Sequence, residues 1–388
     1  MRDFRCDLIK NIKPSGIRAF FDLVIGMEDV ISLGVGEPDF VTPWRICEAA
    51  IYSLEKGVTS YTSNLGLLEL RKEIAGYLED RFAVKYDPAK EVLITVGASE
   101  AMDITFRAIL NPGEEVIILE PSYVAYSPLV LLAGGVPVGV SMIKGEKFCL
   151  DISQIESKIT DKTKAIFINY PNNPTGKSFD REELKGIAKL AEKHDLVVVS
   201  DEIYAELTYD YDHISFSSLP GMKKRTVLIS GFSKAFAMTG WRIGYICAPN
   251  KIVEAAMQIH QYSMLCAPIS GQVAAIEALR SGMKDVRFMK KEYNRRRSLI
   301  VDGFNSLGLH CENPQGAFYV FPSIKKLGIS SNEFCNALLR EEKVAVVPGD
   351  AFGEEGGGFI RCAYATSLDD IKEALKRIKN FLKRRDCL

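Results

Sequence analysis

Lys164-Ala-Ile-Phe-Ile-Asn169 and Leu196-Val-Val-Val-Ser-Asp201 are two apolar, β-branched runs that set the fold class. Between them, Asp180 followed by Glu183 has the spacing of a capping box and opens a helix that runs to His194. Unbroken apolar runs of this length read as strands buried on both faces, and a helix between two such strands makes them parallel. Working outward, strand-like and helical runs alternate from about residue 46 to 285. The pattern predicts an α/β fold: a large domain with a mostly parallel sheet flanked by helices. Ile243-Gly-Tyr-Ile-Cys-Ala248 follows the preceding turn too closely for a crossover, so it is expected to run antiparallel. A long helical region from about Met257 leads into a smaller α+β domain, with strands expected at Ala317–Phe321 and Phe359–Ala363. The expected organisation is an amino-terminal arm over 1–13, a large domain over 46–285, and a small domain over 14–45 and 286–388.

The carboxyl ends of such strands line the crevice where open α/β sheets bind ligands. Asn172-Asn173-Pro174-Thr175-Gly176 follows the first run, and it also reads as a plain turn. Asp201 closes the valine run. An unpaired carboxylate there is costly and wants a cationic partner, although an Asp at this position also reads as a helix cap. Tyr204 follows three residues on. Ile94-Thr-Val-Gly97-Ala98-Ser99 leads into a helix with apolar Met102, Ile104, Phe106 and Ile109. A helix start made of small residues offers free N–H groups to a phosphate, though many helices begin this way.

Ser230-Gly-Phe-Ser-Lys234-Ala-Phe-Ala-Met-Thr-Gly-Trp-Arg242 carries the most chemistry. Set among Phe232, Phe236 and Met238, the Lys234 ammonium is partly desolvated, which favours the neutral amine. A neutral amine attacks aldehydes to form a Schiff base. Ser233 and Arg242 supply a hydroxyl and a fixed cationic fork for a phosphate. An aldehyde that carries a phosphate is pyridoxal 5'-phosphate. By itself Ser-Lys-Ala-Phe also fits an ordinary strand-to-turn junction.

The chain resembles the fold-type I, class I/II pyridoxal-phosphate aminotransferases nearly end to end. The resemblance rests on an ordered set: Gly34-Val-Gly36-Glu-Pro-Asp-Phe40, Ser60-Tyr61, Gly97-Ala-Ser99, Pro121-Ser-Tyr123, Asn172-Asn-Pro-Thr-Gly176, Ser200-Asp-Glu-Ile-Tyr204, Ser233-Lys234, Thr239-Gly-Trp-Arg242 and Phe359-Ile-Arg361. It implies that Lys234 holds the cofactor as a Schiff base and shuttles the proton. It implies that Asp201 pairs with the pyridinium nitrogen, which keeps the ring an electron sink, and that Tyr204 and Asn173 bond its phenolic oxygen. Tyr123 would stack on the ring, and Gly97, Ala98, Ser99, Ser233 and Arg242 would cradle the phosphate. Tyr61 would reach the phosphate of a neighbouring subunit, which implies a homodimer with shared sites. Arg361 would clamp the substrate carboxylate, with Gly36 alongside.

Composition is compatible with this reading. A length of 388 residues suits two domains, and a formal net charge of −1 gives no electrostatic case for nucleic acid or a membrane surface. The basic clusters Arg295–Arg297 and Lys383–Arg385 sit among acids at helical spacing and read as solvated faces. Nine scattered cysteines without a Cys-x-x-Cys pair suit free thiols in a reducing cytoplasm, and the histidines at 194, 213, 260 and 310 show no metal-ligand spacing. No signal segment is expected, since Arg2, Asp3, Arg5 and Asp7 interrupt the first residues. The stretch Pro128–Val140 is too short to span a bilayer.

The expected activity is amino transfer from an amino acid to a 2-oxo acid such as 2-oxoglutarate, by a two-half-reaction cycle. A carbon–sulfur lyase of the same fold is the alternative. A cofactor-binding regulator is not expected, as no winged-helix segment precedes residue 14. One aspartate-preferring branch of the family has lysine where this chain has Ser99, and the wording around Gly97–Ala101 resembles the broad-specificity branch. Apolar surroundings are expected at Tyr123, Tyr126, Tyr262 and Met264. The sequence therefore points to a broad-specificity enzyme with aromatic or otherwise bulky amino acids as good donors, and aspartate accepted but not strongly preferred. A different arginine, or Lys13 in the arm, is the competing cation for a distal carboxylate.

Overall fold

The computed structural model describes residues 2–10, 12, 14, 16 and 27–385. Its largest sheet has seven strands: β1 Val92–Thr95, β2 Glu115–Glu120, β3 Val136–Ser141, β4 Thr163–Asn169, β5 Val197–Asp201, β6 Thr226–Gly231 and β7 Gly244–Cys247, in the order β1-β7-β6-β5-β4-β2-β3. Every neighbouring pair is parallel except those of β7, which runs antiparallel to both β1 and β6. This is the α/β architecture and the single reversed strand that the sequence predicts.

The side-chain period of 2 decides what covers each face. In β4 and β5, Ile166, Ile168 and Val198 join Leu184 and Ile187 of the helix Arg181–Lys193 in one core cluster. Phe167 and Val199 face the other way and pack with Ile104 and Phe106 of the helix Gly97–Ile109. The capping box is present: the Asp180 carboxylate accepts from the Glu183 backbone, and the Glu183 carboxylate accepts from the Asp180 backbone. With both faces apolar, the sheet buries each of the two runs that open the sequence argument.

A second core gathers Phe304, Phe318, Phe334, Val344, Ile360 and Phe381. Here β8 Tyr319–Val320, β9 Val347–Pro348 and β10 Ile360–Ala363 form an antiparallel sheet in the order β8-β10-β9. Ile31–Ser32 pairs in parallel with Val344–Ala345, which brings the segment before Gly34 to this core. The strand expected over Ala317–Phe321 is shorter than the sequence suggests. Ala317 adopts a left-handed φ of 57° and donates its N–H to the Leu207 carbonyl, and this ends the extended run. Among the described residues, no helix is long and apolar enough to cross a membrane, no metal-ligand group forms, and the eight described cysteines are free.

Candidate active site

The carboxyl ends of β4, β5 and β6 open into a cavity of about 960 Å³, which segments 35–37 and 361 close from the second core. Its lining contains Gly36, Ala98, Ser99, Tyr123, Asn173, Asp201, Tyr204, Ser233, Lys234, Arg242 and Arg361, so nearly the whole predicted set converges in one place.

Lys234 follows β6 at the cavity wall. Burial pulls its ammonium down to about 8, with Glu37 acting against that shift and Arg361 and Arg242 reinforcing it. Its Nζ donates to the Gly36 carbonyl at 2.7 Å. A carbonyl holds the amine in place without a counter-charge, so the neutral form stays accessible.

Asp201 ends β5 and is 3% exposed. Burial pushes its carboxyl up to about 6, against hydrogen bonds that favour the charged form. Those bonds come from the Tyr126 hydroxyl to Oδ2 at 2.8 Å and the Ile203 N–H to Oδ1 at 3.1 Å. Two donors leave carboxylate lone pairs facing the cavity. The cap-like bond to Ile203 and the open lone pairs coexist, so both readings of Asp201 describe part of it.

The Asn172–Gly176 stretch likewise divides. Asn172 Oδ1 accepts from the Thr175 N–H at 3.1 Å and hydroxyl at 2.9 Å, which is ordinary turn chemistry. Asn173 instead turns to the cavity, where its Oδ1 accepts from Arg361 Nη1 at 3.1 Å. Asn169 ties the two strand ends together by donating to the Asp201 carbonyl and accepting from the Asn173 N–H.

Arg361 lies on β10 and is 2% exposed. Besides Asn173, its Nη2 donates to the Gly34 carbonyl, while Nε has no partner among the described residues. Tyr319 and Phe352 stack on the guanidinium at 4.7 and 4.8 Å. No described acid pairs with it. A buried cation without a counter-ion costs several kcal/mol unless an anion arrives, by the general energetics of buried charge.

Gly97, Ser99, Ser233 and Arg242 shape the opposite wall. Gly97 has φ +76°, and a Cβ there would stand 2.4 Å from Arg242 Nη2. The arginine fork and the start of the helix Gly97–Ile109 can therefore converge only because the residue is glycine. Arg242 Nη1 is fixed by the Thr239 carbonyl at 2.8 Å. Gly244 serves the same wall: a Cβ there would lie 2.5 Å from the Gly97 carbonyl carbon.

Tyr61, expected at the phosphate of a neighbouring subunit, is 83% exposed and does not line its own chain's cavity. Two placements differ from expectation. Tyr262 and Met264 are also exposed, on the surface at the end of the helix Asn250–Ser263, so they are not part of the cavity lining. Tyr126 is buried and spends its hydroxyl on Asp201, so it is not a free wall of an apolar pocket. Lys13 lies outside the described residues. Two cavity residues were missed in the sequence. Tyr319 reaches the Tyr204 hydroxyl at 2.9 Å, and Glu37 faces Lys234. Glu37 lies inside the quoted Gly34–Phe40 segment, whereas nothing in the wording of Phe318-Tyr-Val320 signals Tyr319.

An amine with a lowered pKa, a glycine-opened helix start beside Arg242 and an uncompensated arginine thus meet at the end of a mixed sheet. The family model "Aminotransferase class I and II" matches residues 28–378, and the chain belongs to that family. It is an aminotransferase. It is 58% identical to a putative aminotransferase of Bacillus subtilis, over 98% of this chain and 99% of that protein. It is 45% identical to an aspartate aminotransferase of Pyrococcus abyssi, over 98% of each chain. Among solved structures, an aromatic aminotransferase from Pyrococcus horikoshii superposes with a TM-score of 0.91 at 43% identity, covering 96% of this chain and 100% of that one. The family uses pyridoxal phosphate.

Proposed function

We propose that this chain binds pyridoxal 5'-phosphate in the cavity and moves amino groups from uncharged, bulky or aromatic amino acids to 2-oxoglutarate. The observation that carries the reading is Arg361: a buried, stacked guanidinium with an unpartnered Nε and no described acid beside it, 188 residues from the Asn173 that holds it. It fits a carboxylate, the group that every amino acid and 2-oxo acid shares.

Bound here, the cofactor supplies an aldehyde carbon and an electron sink. The chain's own residues supply the rest. Lys234 moves a proton at the substrate Cα, and its lowered pKa suits it to act as a base near neutrality. Asp201, with its open lone pairs, would take the ring nitrogen, and Tyr204 and Asn173 would bond the phenolic oxygen. Tyr123 would cover the ring, while Gly97, Ala98, Ser99, Ser233 and Arg242 would hold the phosphate. Gly36 fixes Lys234 and closes the carboxylate end. The division into an arm over 1–13, a cofactor-binding part over 46–285 and a small domain over 14–45 and 286–388 belongs to the same reading.

Substrate choice rests on charge. The described cations lining the cavity are Lys234, Arg242 and Arg361, and each already has a task. Ser99 cannot replace a lysine, and a lost charge-assisted hydrogen bond is worth about 1.5–3 kcal/mol. Met102, Val124 and Ile203 add apolar lining. The test is the kcat/KM of phenylalanine or tyrosine relative to aspartate with purified protein, with pyridoxamine phosphate measured after one half-reaction. Aspartate preferred by more than about a hundredfold, or about 2.7 kcal/mol, overturns the specificity. Ammonia in place of pyridoxamine phosphate overturns the transfer.

A homodimer with shared sites is proposed from the exposed aromatic and apolar group Trp44, Tyr52, Tyr61, Tyr262 and Met264. Asn64 Nδ2 donates to the Leu265 carbonyl, which sets the Tyr61 loop beside the Tyr262 helix end. Mixing Tyr61→Phe with Lys234→Ala subunits should restore part of the activity that both parents lack. A fully active monomer in sedimentation excludes sharing.

A further inference from the structure

One phenol lies beside Tyr204, Arg361 and Gly36 at once. Tyr319 on β8 is 1% exposed, and its hydroxyl lies 2.9 Å from that of Tyr204. Its ring carries the Arg361 guanidinium at 4.7 Å. A Cβ at Gly36 would stand 2.6 Å from its hydroxyl, and the Gly36 carbonyl holds Lys234. The register explains the convergence. Tyr319 pairs with Ala363, two residues from Arg361 on the same strand, so the two side chains are diagonal neighbours on one face.

The hydroxyl pair has a direction. A tyrosine has one proton to donate. If the Tyr204 proton points into the cavity, the Tyr204 oxygen is free to accept, and Tyr319 must be the donor. Replacing that donor by hydrogen removes the bond that polarises the Tyr204 hydroxyl and holds its oxygen in place.

We infer that Tyr319 is a positioning residue with two separable tasks: its hydroxyl aims the Tyr204 proton at the cofactor's phenolic oxygen, and its ring fixes the plane of Arg361 for the substrate carboxylate. This rests on the proposed roles of Tyr204 and Arg361. Other groups face the same atoms. Arg361 and Asp201 face Tyr204, Arg361 and Tyr123 face Tyr319, and Glu37, Arg361, Arg242 and Asp201 face Lys234. A Phe at 319 leaves all of them in place.

The experiment is a pH titration of the visible absorbance of the cofactor-loaded enzyme, together with KM for the amino donor. The colour change reports the proton held between the Lys234 nitrogen and the phenolic oxygen. A donor to that oxygen competes with this proton and lowers the midpoint, so losing the donor raises it. Tyr319→Phe should raise the midpoint by about 0.5–1 unit, the worth of one neutral hydrogen bond, and leave KM within about twofold. Tyr319→Leu should also raise KM roughly tenfold, as the stacked ring is lost. Tyr204→Phe should shift the midpoint at least as far as Tyr319→Phe, and adding Tyr319→Phe to it should shift it no further, because the hydroxyls act in series. If Tyr204→Phe leaves the midpoint unmoved, the site reading itself fails. If Tyr204→Phe shifts it and Tyr319→Phe does not, or if the two shifts add, the positioning role of Tyr319 is overturned.

Discussion

Asp201 and Glu202 are adjacent, equally buried and opposite in design. They are 3% and 2% exposed, and they leave the end of β5 on opposite sides. Behind the sheet, Glu202 accepts from Ser200 Oγ at 2.9 Å, Ser215 Oγ at 3.2 Å, the Phe216 N–H at 3.0 Å and the Tyr170 hydroxyl at 3.4 Å, and it contacts His213 Nε2 at 2.8 Å. Five groups surround it, four of them on Oε1, against two for Asp201. Asp201 has Tyr126 and the Ile203 N–H, and its remaining lone pairs face a cavity. Burial alone therefore does not mark a functional acid. What distinguishes the two is how much bonding capacity each folded environment leaves unspent. A saturated carboxylate holds structure together, and an undersaturated one is costly until a cationic ligand completes it.

The same contrast ranks the expected mutational effects. Lys234 is the extreme of the undersaturated class, with a single carbonyl partner. Lys234→Ala should keep the cofactor through the phosphate cradle and lose turnover by roughly 10⁴-fold or more, read as kcat with borohydride trapping as a control. Trapping on another lysine would sink the assignment. Asp201→Ala should slow Cα deprotonation by roughly 10² or more, or about 3 kcal/mol, in single-turnover kinetics. Glu202→Ala should do the reverse. It strips partnered donors of their acceptor, so chemical denaturation should show a loss of about 3 kcal/mol or more, while kcat per folded enzyme stays within a few-fold. Equal kinetic damage at both positions would erase the comparison.

How far this could be read without coordinates follows from where the information lies along the chain. The β4 and β5 runs announce themselves because strands buried on both faces need uninterrupted apolar residues. The Asp180–Glu183 cap is local chemistry between residues three apart. The motif residues around Lys234 and Gly97 are likewise contiguous. Tyr126 and Tyr319 were not legible as supports, because each works on a residue 75 or 115 positions away and sits among aromatic neighbours that look like core. The wording Asp201-Glu202 did not say which acid stays open, since that depends on Tyr170, His213 and Ser215 arriving from beyond the strand. Residue type alone points Tyr262 and Met264 toward the substrate, whereas the end of their helix carries them to the surface.

The smallest expected effect is the sharpest check on the comparison, and it concerns stability. Asp201 has a folded-state pKa of about 6, raised from 3.8 first by burial. A raised carboxyl pKa favours the folded state while the group is protonated in both states, below about pH 4. That contribution is lost as pH climbs through the folded value of about 6. In the cofactor-free protein, Asp201→Asn removes the charge and keeps one of the two acceptors, for Tyr126 or for the Ile203 N–H, a loss that does not change with pH. From pH 4 upward the variant should therefore gain on wild type, by roughly 2–3 kcal/mol in all before levelling above pH 6. Loading the cofactor should reverse the sign at pH 7, because only the carboxylate gains a cationic partner. Denaturation of both proteins, with and without pyridoxal phosphate, measures the two differences. A cofactor-free Asn variant that gains nothing on wild type between pH 4 and pH 7 would show that Asp201 is as satisfied as Glu202, and the distinction between the two acids would fall.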